Sequence, residues 1–291
     1  MFNLYEPDQA RQTILKRMGI DDQPIPAALQ DSLENLFGER LTPAEAVNRI
    51  LTSVRNRGDE AVRDWAKRLD RSEAANFRVP AEEISAALAV LTTAQRTALE
   101  ESADRVRRFH QHQPASSWVT QDLGGTLGQL LRPIRRVGVY VPAGTAPLPS
   151  SVIMSAVPAQ VAGVKEIVLV APPQKDTGRI ASIILATAAL LGLDEIYALG
   201  GAQAIAALAY GTETIPSVDK IVGPGNLFVT LAKRQVFGVV GIDSLAGPTE
   251  TVVIADENAQ PSWVAADLLA QAEHDVMASA ILLTPSKTLA E

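Results

Sequence analysis

The 291-residue chain is 47% hydrophobic, carries a net charge of −7 and has no cysteine. It can bury a sizeable core, and its length suggests about two domains. The acidic balance argues against a nucleic-acid partner. The missing cysteine excludes disulfides, thiolate metal ligands and a cysteine nucleophile.

Residues 1–25 read as a polar, helical arm without the apolar core of a signal peptide. An amphipathic segment follows at 29–37. Thr42-Pro43-Ala44-Glu45 is a capping box with proline at the first helical position, and it opens a helix to about Arg57. Gly58 stops that helix, and 59–70 forms the next. A short strand is expected at 77–79, then helices at 80–91 and 93–113. Arg105, Arg107 and Arg108 adjoin Asp104 and read as a solvated helix face. His110 and His112 stand at i and i+2, so they point apart and do not share a metal.

The composition changes after a strand-like 126–131. Apolar strands at 137–141, 166–171, 196–199 and 220–222 alternate with helices at 151–162, 180–191, 202–210 and 227–237. Short connections and near-continuous apolar strands indicate a parallel sheet covered on both faces. The apolar helix at 180–191 is too short to span a bilayer. These features predict a cytoplasmic α/β protein without membrane contact.

Ligands in such sheets bind at the C-terminal strand ends. Three glycine-bearing loops fall there: 142–147, 200–203 and 223–226. Two lead directly into helix N-termini, which favour anions such as a pyrophosphate. None matches G-x-G-x-x-G, and each taken alone is equally an ordinary turn. Tyr140, Gln203 and Asn226 stand at these ends and could hydrogen-bond a ribose or a nicotinamide amide.

The last part reads as a buried strand at 251–255, on its β-branched residues and length, then a helix from Pro261 and a strand at 280–284. Asp267, Gln271 and His274 stand at i, i+4 and i+7, on one helix face, with Val264, Leu268 and Leu269 adjoining. The trio could begin a metal or proton-transfer site. It reads equally well as the solvated face of an amphipathic helix.

Several motifs, in order, resemble histidinol dehydrogenase. They begin at Arg55-Asn56-Arg57-Gly58-Asp59-Glu60-Ala61-Val62. Then come Arg136-Val137-Gly138-Val139-Tyr140-Val141-Pro142, Gly200-Gly201-Ala202-Gln203-Ala204-Ile205-Ala206 and Val222-Gly223-Pro224-Gly225-Asn226. The last are Ala246-Gly247-Pro248-Thr249-Glu250 and Gln271-Ala272-Glu273-His274.

The resemblance implies two incomplete Rossmann-like domains with parallel sheets, plus the N-terminal helical arm. One domain comprises 26–139 with 246–291, the other 140–245. It also implies a zinc-dependent homodimer oxidising L-histidinol to L-histidine through the aldehyde, with NAD. On that resemblance Tyr140, Gln203 and Asn226 contact NAD. Thr249, Gln271 and His274 contact substrate, and Gln271 and His274 also ligate zinc. The resemblance gives Asp267 no ligand role, and its place on the helix suits a supporting partner of His274.

Pro142-Ala143-Gly144 departs from the family's Pro-Gly-Gly, and Val276 stands where many members have proline. The family's catalytic Glu-His pair, and its Asp and second His zinc ligands, match nothing in these 291 residues. No catalytic residue is therefore assigned. These residues alone are expected to be a catalytically incomplete piece or shortened relative that at most binds nucleotide. An aldehyde dehydrogenase of the thiol type is the other reading weighed, and the absence of cysteine opposes it.

Overall fold

The computed structural model describes residues 3–16, 25–73, 76–113, 116–142, 147–245, 250–273 and 278–291. It divides into two compact units, Met1–Thr42 and Pro43–Glu291. The first holds α1 (Pro7–Gln12) and α2 (Ala27–Phe37). Gly38 ends α2 in the left-handed conformation, its N–H closing on the Glu34 carbonyl.

The second unit starts with four helices: α3 (Pro43–Arg57), α4 (Asp59–Trp65), α5 (Ala81–Ala89) and α6 (Thr93–Gln111). A π-helical turn, Ala66–Asp70, extends α4. Thr92 and Gln95 form a reciprocal capping box at the start of α6. The arginines of α6 pair along its surface, Arg108 with Asp104 and Arg105 with Glu101. A small antiparallel pair follows, β1 (Trp118–Thr120) with β2 (Leu127–Gln129).

The central sheet is β3 (Arg136–Tyr140), β4 (Glu166–Ala171), β5 (Glu195–Ala198), β6 (Lys220–Val222) and β7 (Gly241–Ile242). All neighbours are parallel, in the order β5-β4-β3-β6-β7. Numbered within the sheet, this is 3-2-1-4-5, the order of a doubly wound dinucleotide-binding sheet lacking its sixth strand. The helices α7 (Pro149–Val161), α8 (Ser182–Leu190), α9 (Gly201–Tyr210) and α10 (Leu227–Val236) connect successive strands. The helices α5 and α6 lie over α8 and α7, and α3 packs on α9 and α10. Burial on both faces explains the unbroken apolar runs, with all five residues of β3 buried. Gly138 in β3 is needed there, because a Cβ would come within 2.8 Å of Leu208 in α9.

The expected strand at 77–79 is a single antiparallel bridge, Arg78 to Tyr197. Two backbone hydrogen bonds, Val79 N–H to the Ile196 carbonyl and Ala198 N–H to the Phe77 carbonyl, use up edge groups of β5.

A separate βαβ unit follows: β8 (Glu250–Ile254), α11 (Pro261–Ala272) and β9 (Ser279–Leu283), with the strands parallel. A final turn of helix, α12 (Lys287–Ala290), comes after it. β8 was expected to be buried. Instead its residues alternate between half-buried and exposed, and Ile254 is 81% exposed. The reason is that, among the described elements, β8 pairs only with β9 and has α11 as its main packing partner. Among the described residues, no helix is long and apolar enough to cross a membrane.

The N-terminal edge of the central sheet is tied by one buried cation. Arg136, on β3, donates to Glu195 on β5 (2.6 and 2.8 Å) and to Glu166 on β4 (3.0 Å). Burial pushes the Glu195 carboxyl up, but hydrogen bonds from Arg136 and Tyr197 outweigh it and hold the group below its usual value. A carboxyl held low contributes stability above its unfolded value and loses it as pH falls through the folded one. Arg136→Met should cost about 3 kcal/mol near neutral pH, the low end for a broken buried pair, since Glu166 is solvent-exposed. The difference from wild type should narrow below about pH 4, as urea unfolding at neutral and acid pH would show.

Candidate nucleotide site

The strand order reverses between β3 and β6, so a crevice opens at their C-terminal ends. Tyr140 is the last residue of β3, and Asn226 caps α10 just after β6. Gln203 lies in the first turn of α9, after β5. The structure thus places all three expected residues at one end of the sheet.

The crevice is held open at Gly223. Its N–H donates to Asp243 Oδ2 (2.8 Å), and its carbonyl accepts from Lys233 Nζ (2.9 Å). The ammonium of Lys233, almost fully buried, is also bonded to Asp243 Oδ1. A Cβ at position 223 would lie 2.1 Å from the Tyr140 carbonyl oxygen, and φ is +112°. Only glycine fits there.

Each candidate spends one polar atom on the scaffold. Tyr140 Oη accepts the Gly201 N–H (3.2 Å). Burial, together with the charge of Asp70, pushes its hydroxyl up to about 12, so it remains protonated and able to donate. Asn226 Oδ1 accepts the Val229 N–H (3.1 Å), a helix cap that leaves its Nδ2 as a donor. Gln203 Nε2 donates to Asp70 Oδ2 (3.0 Å), while its buried Oε1 has no hydrogen-bond partner among the described residues. Among those residues, two donors and one acceptor therefore remain uncommitted. The orphaned Gln203 oxygen and these donors fit a ligand carrying hydroxyl and amide groups.

Sequence reasoning missed Asp70, Lys233 and Asp243. Asp70 lies 130 positions before Gly200, so no local pattern links them. Its carboxylate also occupies the start of α9, which makes that helix N-terminus a poor place for the anion expected there.

The second expected cluster is only partly described. Gln271 is half-buried in the last turn of α11, and that helix ends at Ala272, with Glu273 as its cap. Residue 274 lies outside the described residues, so α11 does not decide whether 271 and 274 share one helix. Asp267 is exposed, and Leu269, expected on an apolar face, is 61% exposed. Thr249 and His274 lie outside the described residues. Among the described residues, no three His, Cys, Asp or Glu side chains are grouped to hold a metal, so they do not by themselves make a zinc site.

The sheet order, with helices between successive strands, defines a doubly wound α/β protein. The family model described as histidinol dehydrogenase matches residues 39–291, and the chain belongs to that family. The chain is similar to a histidinol dehydrogenase of Deinococcus radiodurans, 54% identical over 91% of this chain and 60% of that protein. It is 48% identical to one from Pseudomonas aeruginosa, over 87% of this chain and 59% of the relative. A crystal structure of histidinol dehydrogenase from Elizabethkingia anophelis superposes with a TM-score of 0.80 at 38% identity, over 91% of this chain and 62% of that one. The chain thus spans about three-fifths of the length of these relatives.

Asn226 combines a cap with an uncommitted donor, and two substitutions separate them. Asn226→Asp should keep the cap and the thermal midpoint but weaken NADH binding, since the Nδ2 donor is replaced by negative charge. Asn226→Ala should lose both, with about 1 kcal/mol of stability. Thermal melts and NADH fluorescence titration would report the two effects independently.

Proposed function

We propose that this chain carries the nucleotide-binding part of an NAD-dependent histidinol dehydrogenase. The whole protein would oxidise L-histidinol through L-histidinal to L-histidine, as a cytoplasmic homodimer of histidine biosynthesis. Family membership supports the chemistry. The observation that carries the nucleotide reading is the placement of Tyr140, Gln203 and Asn226 at the C-terminal end of one sheet, with a buried acceptor that lacks a partner among the described residues. NAD supplies the hydride acceptor when bound. In this chain, the Tyr140 hydroxyl and Asn226 Nδ2 would donate to it, and Gln203 Oε1 would accept from it.

Thr249, Gln271 and His274 are proposed to contact substrate, and Gln271 and His274 to contribute to a zinc site, on the match of their motifs to the family. We also propose that 246–291 belongs with the helical segment before β3 in one α/β domain and that the other runs from β3 to about residue 245, since β3 pairs with β4 and β6. The separate pairing of β8 with β9 supports that division.

Gln203→Ala should raise the Kd of this chain for NADH about 2- to 13-fold, the effect of losing one hydrogen bond to a neutral group. Unchanged binding would remove Gln203 from the site.

Zinc provides an independent test. Catalytic zinc uses about three protein ligands, and Gln271 and His274 supply two. Metal analysis of the 291-residue chain should find well under one zinc per chain. One tightly held zinc, lost on His274→Ala, would mean that another residue of this chain completes the set.

A further inference from the structure

We infer that Asp70 is a positioning residue of the nucleotide site: it sets which end of the Gln203 carboxamide the site presents. The inference rests on the nucleotide reading above and extends it to a residue from the helical segment before the sheet.

Asp70 is the last residue of the π-helical turn after α4. It is half-buried where β5 leads into α9. Its Oδ2 accepts both the Gly200 N–H (3.3 Å) and the Gln203 Nε2–H (3.0 Å). A carboxylate can only accept, so it must face the amide nitrogen of Gln203 and not its oxygen. The carboxamide is therefore held in one of its two orientations, with Oε1 on the far side. That oxygen is fully buried and has no donor among the described residues.

A buried acceptor without a partner is costly, and the cost is relieved when a donor reaches it. The group that reaches Oε1 must displace its cover and must bring an N–H or O–H, as a ribose hydroxyl or a carboxamide does. The same Asp70 oxygen fixes the Gly200 N–H, while the next one, on Gly201, is fixed by Tyr140. The Gly200 N–H thus anchors the Asp70 carboxylate beside Gln203. Without its acceptor, Gln203 is free to flip, and half of its orientations present a donor to a ligand donor.

The test is a double-mutant cycle read by NADH fluorescence titration of the 291-residue chain, with circular dichroism and thermal melts on each variant. Asp70→Ala should weaken NADH binding about 2- to 10-fold, comparable to Gln203→Ala, while the chain stays folded. The double variant should be no weaker than Gln203→Ala alone, because Asp70 acts only through that side chain. Asp70→Asn keeps an oxygen acceptor and should recover most of the binding. It also carries the test if Asp70→Ala fails to fold.

Three results would overturn the assignment while leaving the nucleotide site intact: wild-type binding by Asp70→Ala, additive losses in the double variant, or Asp70→Asn binding as weakly as Asp70→Ala. Wild-type binding by Gln203→Ala would overturn the nucleotide reading of Gln203, and this inference with it.

Discussion

The arrangement at the switch point depends on the Gly223 peptide. Asp243 takes its N–H, the buried Lys233 ammonium binds its carbonyl, and the Tyr140 carbonyl leaves no room for a side chain at its α-carbon. A peptide held on three sides fixes the exit of β6 relative to the exit of β3. Asn226 begins α10 three residues later, so the constraint also sets where that helix starts. The buried Lys233 ammonium is expensive to desolvate, and its bonds to the Gly223 carbonyl and to the solvent-accessible Asp243 carboxylate offset much of that cost.

The opposite edge of the sheet has its own tie. Arg136 joins β3, β4 and β5 at their N-terminal ends through Glu166 and Glu195. One end of the sheet is thus closed by a charge cluster, although the buried Arg136 Nε has no partner among the described residues. At the other end Gln203 Oε1 likewise lacks a partner among them, and the Tyr140 hydroxyl and Asn226 Nδ2 are available to donate.

Much of the fold was legible in the sequence, for definite reasons. β4 and β6 match the apolar runs at 166–171 and 220–222, because a parallel strand covered on both faces needs apolar residues throughout. Asn226 reads as a cap because it directly precedes a helical pattern. β7, two residues long, and β1, three, are too short to show a period. β8 reads as buried from its β-branched residues, yet burial depends on what packs against it, and only one partner strand is present among the described residues. The site was visible as glycine loops and polar residues at strand ends. Asp70 was not, since its role exists only once the π-turn after α4 meets the start of α9.

In the proposed site, nucleotide binds at the C-terminal ends of β3, β5 and β6. Amide hydrogen exchange of the chain with and without NADH probes these ends directly. Exchange should slow on binding at 140–142, 200–204 and 223–229, with 116–131 and 250–273 unchanged. Protection confined to 250–273, or none at the three strand ends under saturating NADH, would contradict it.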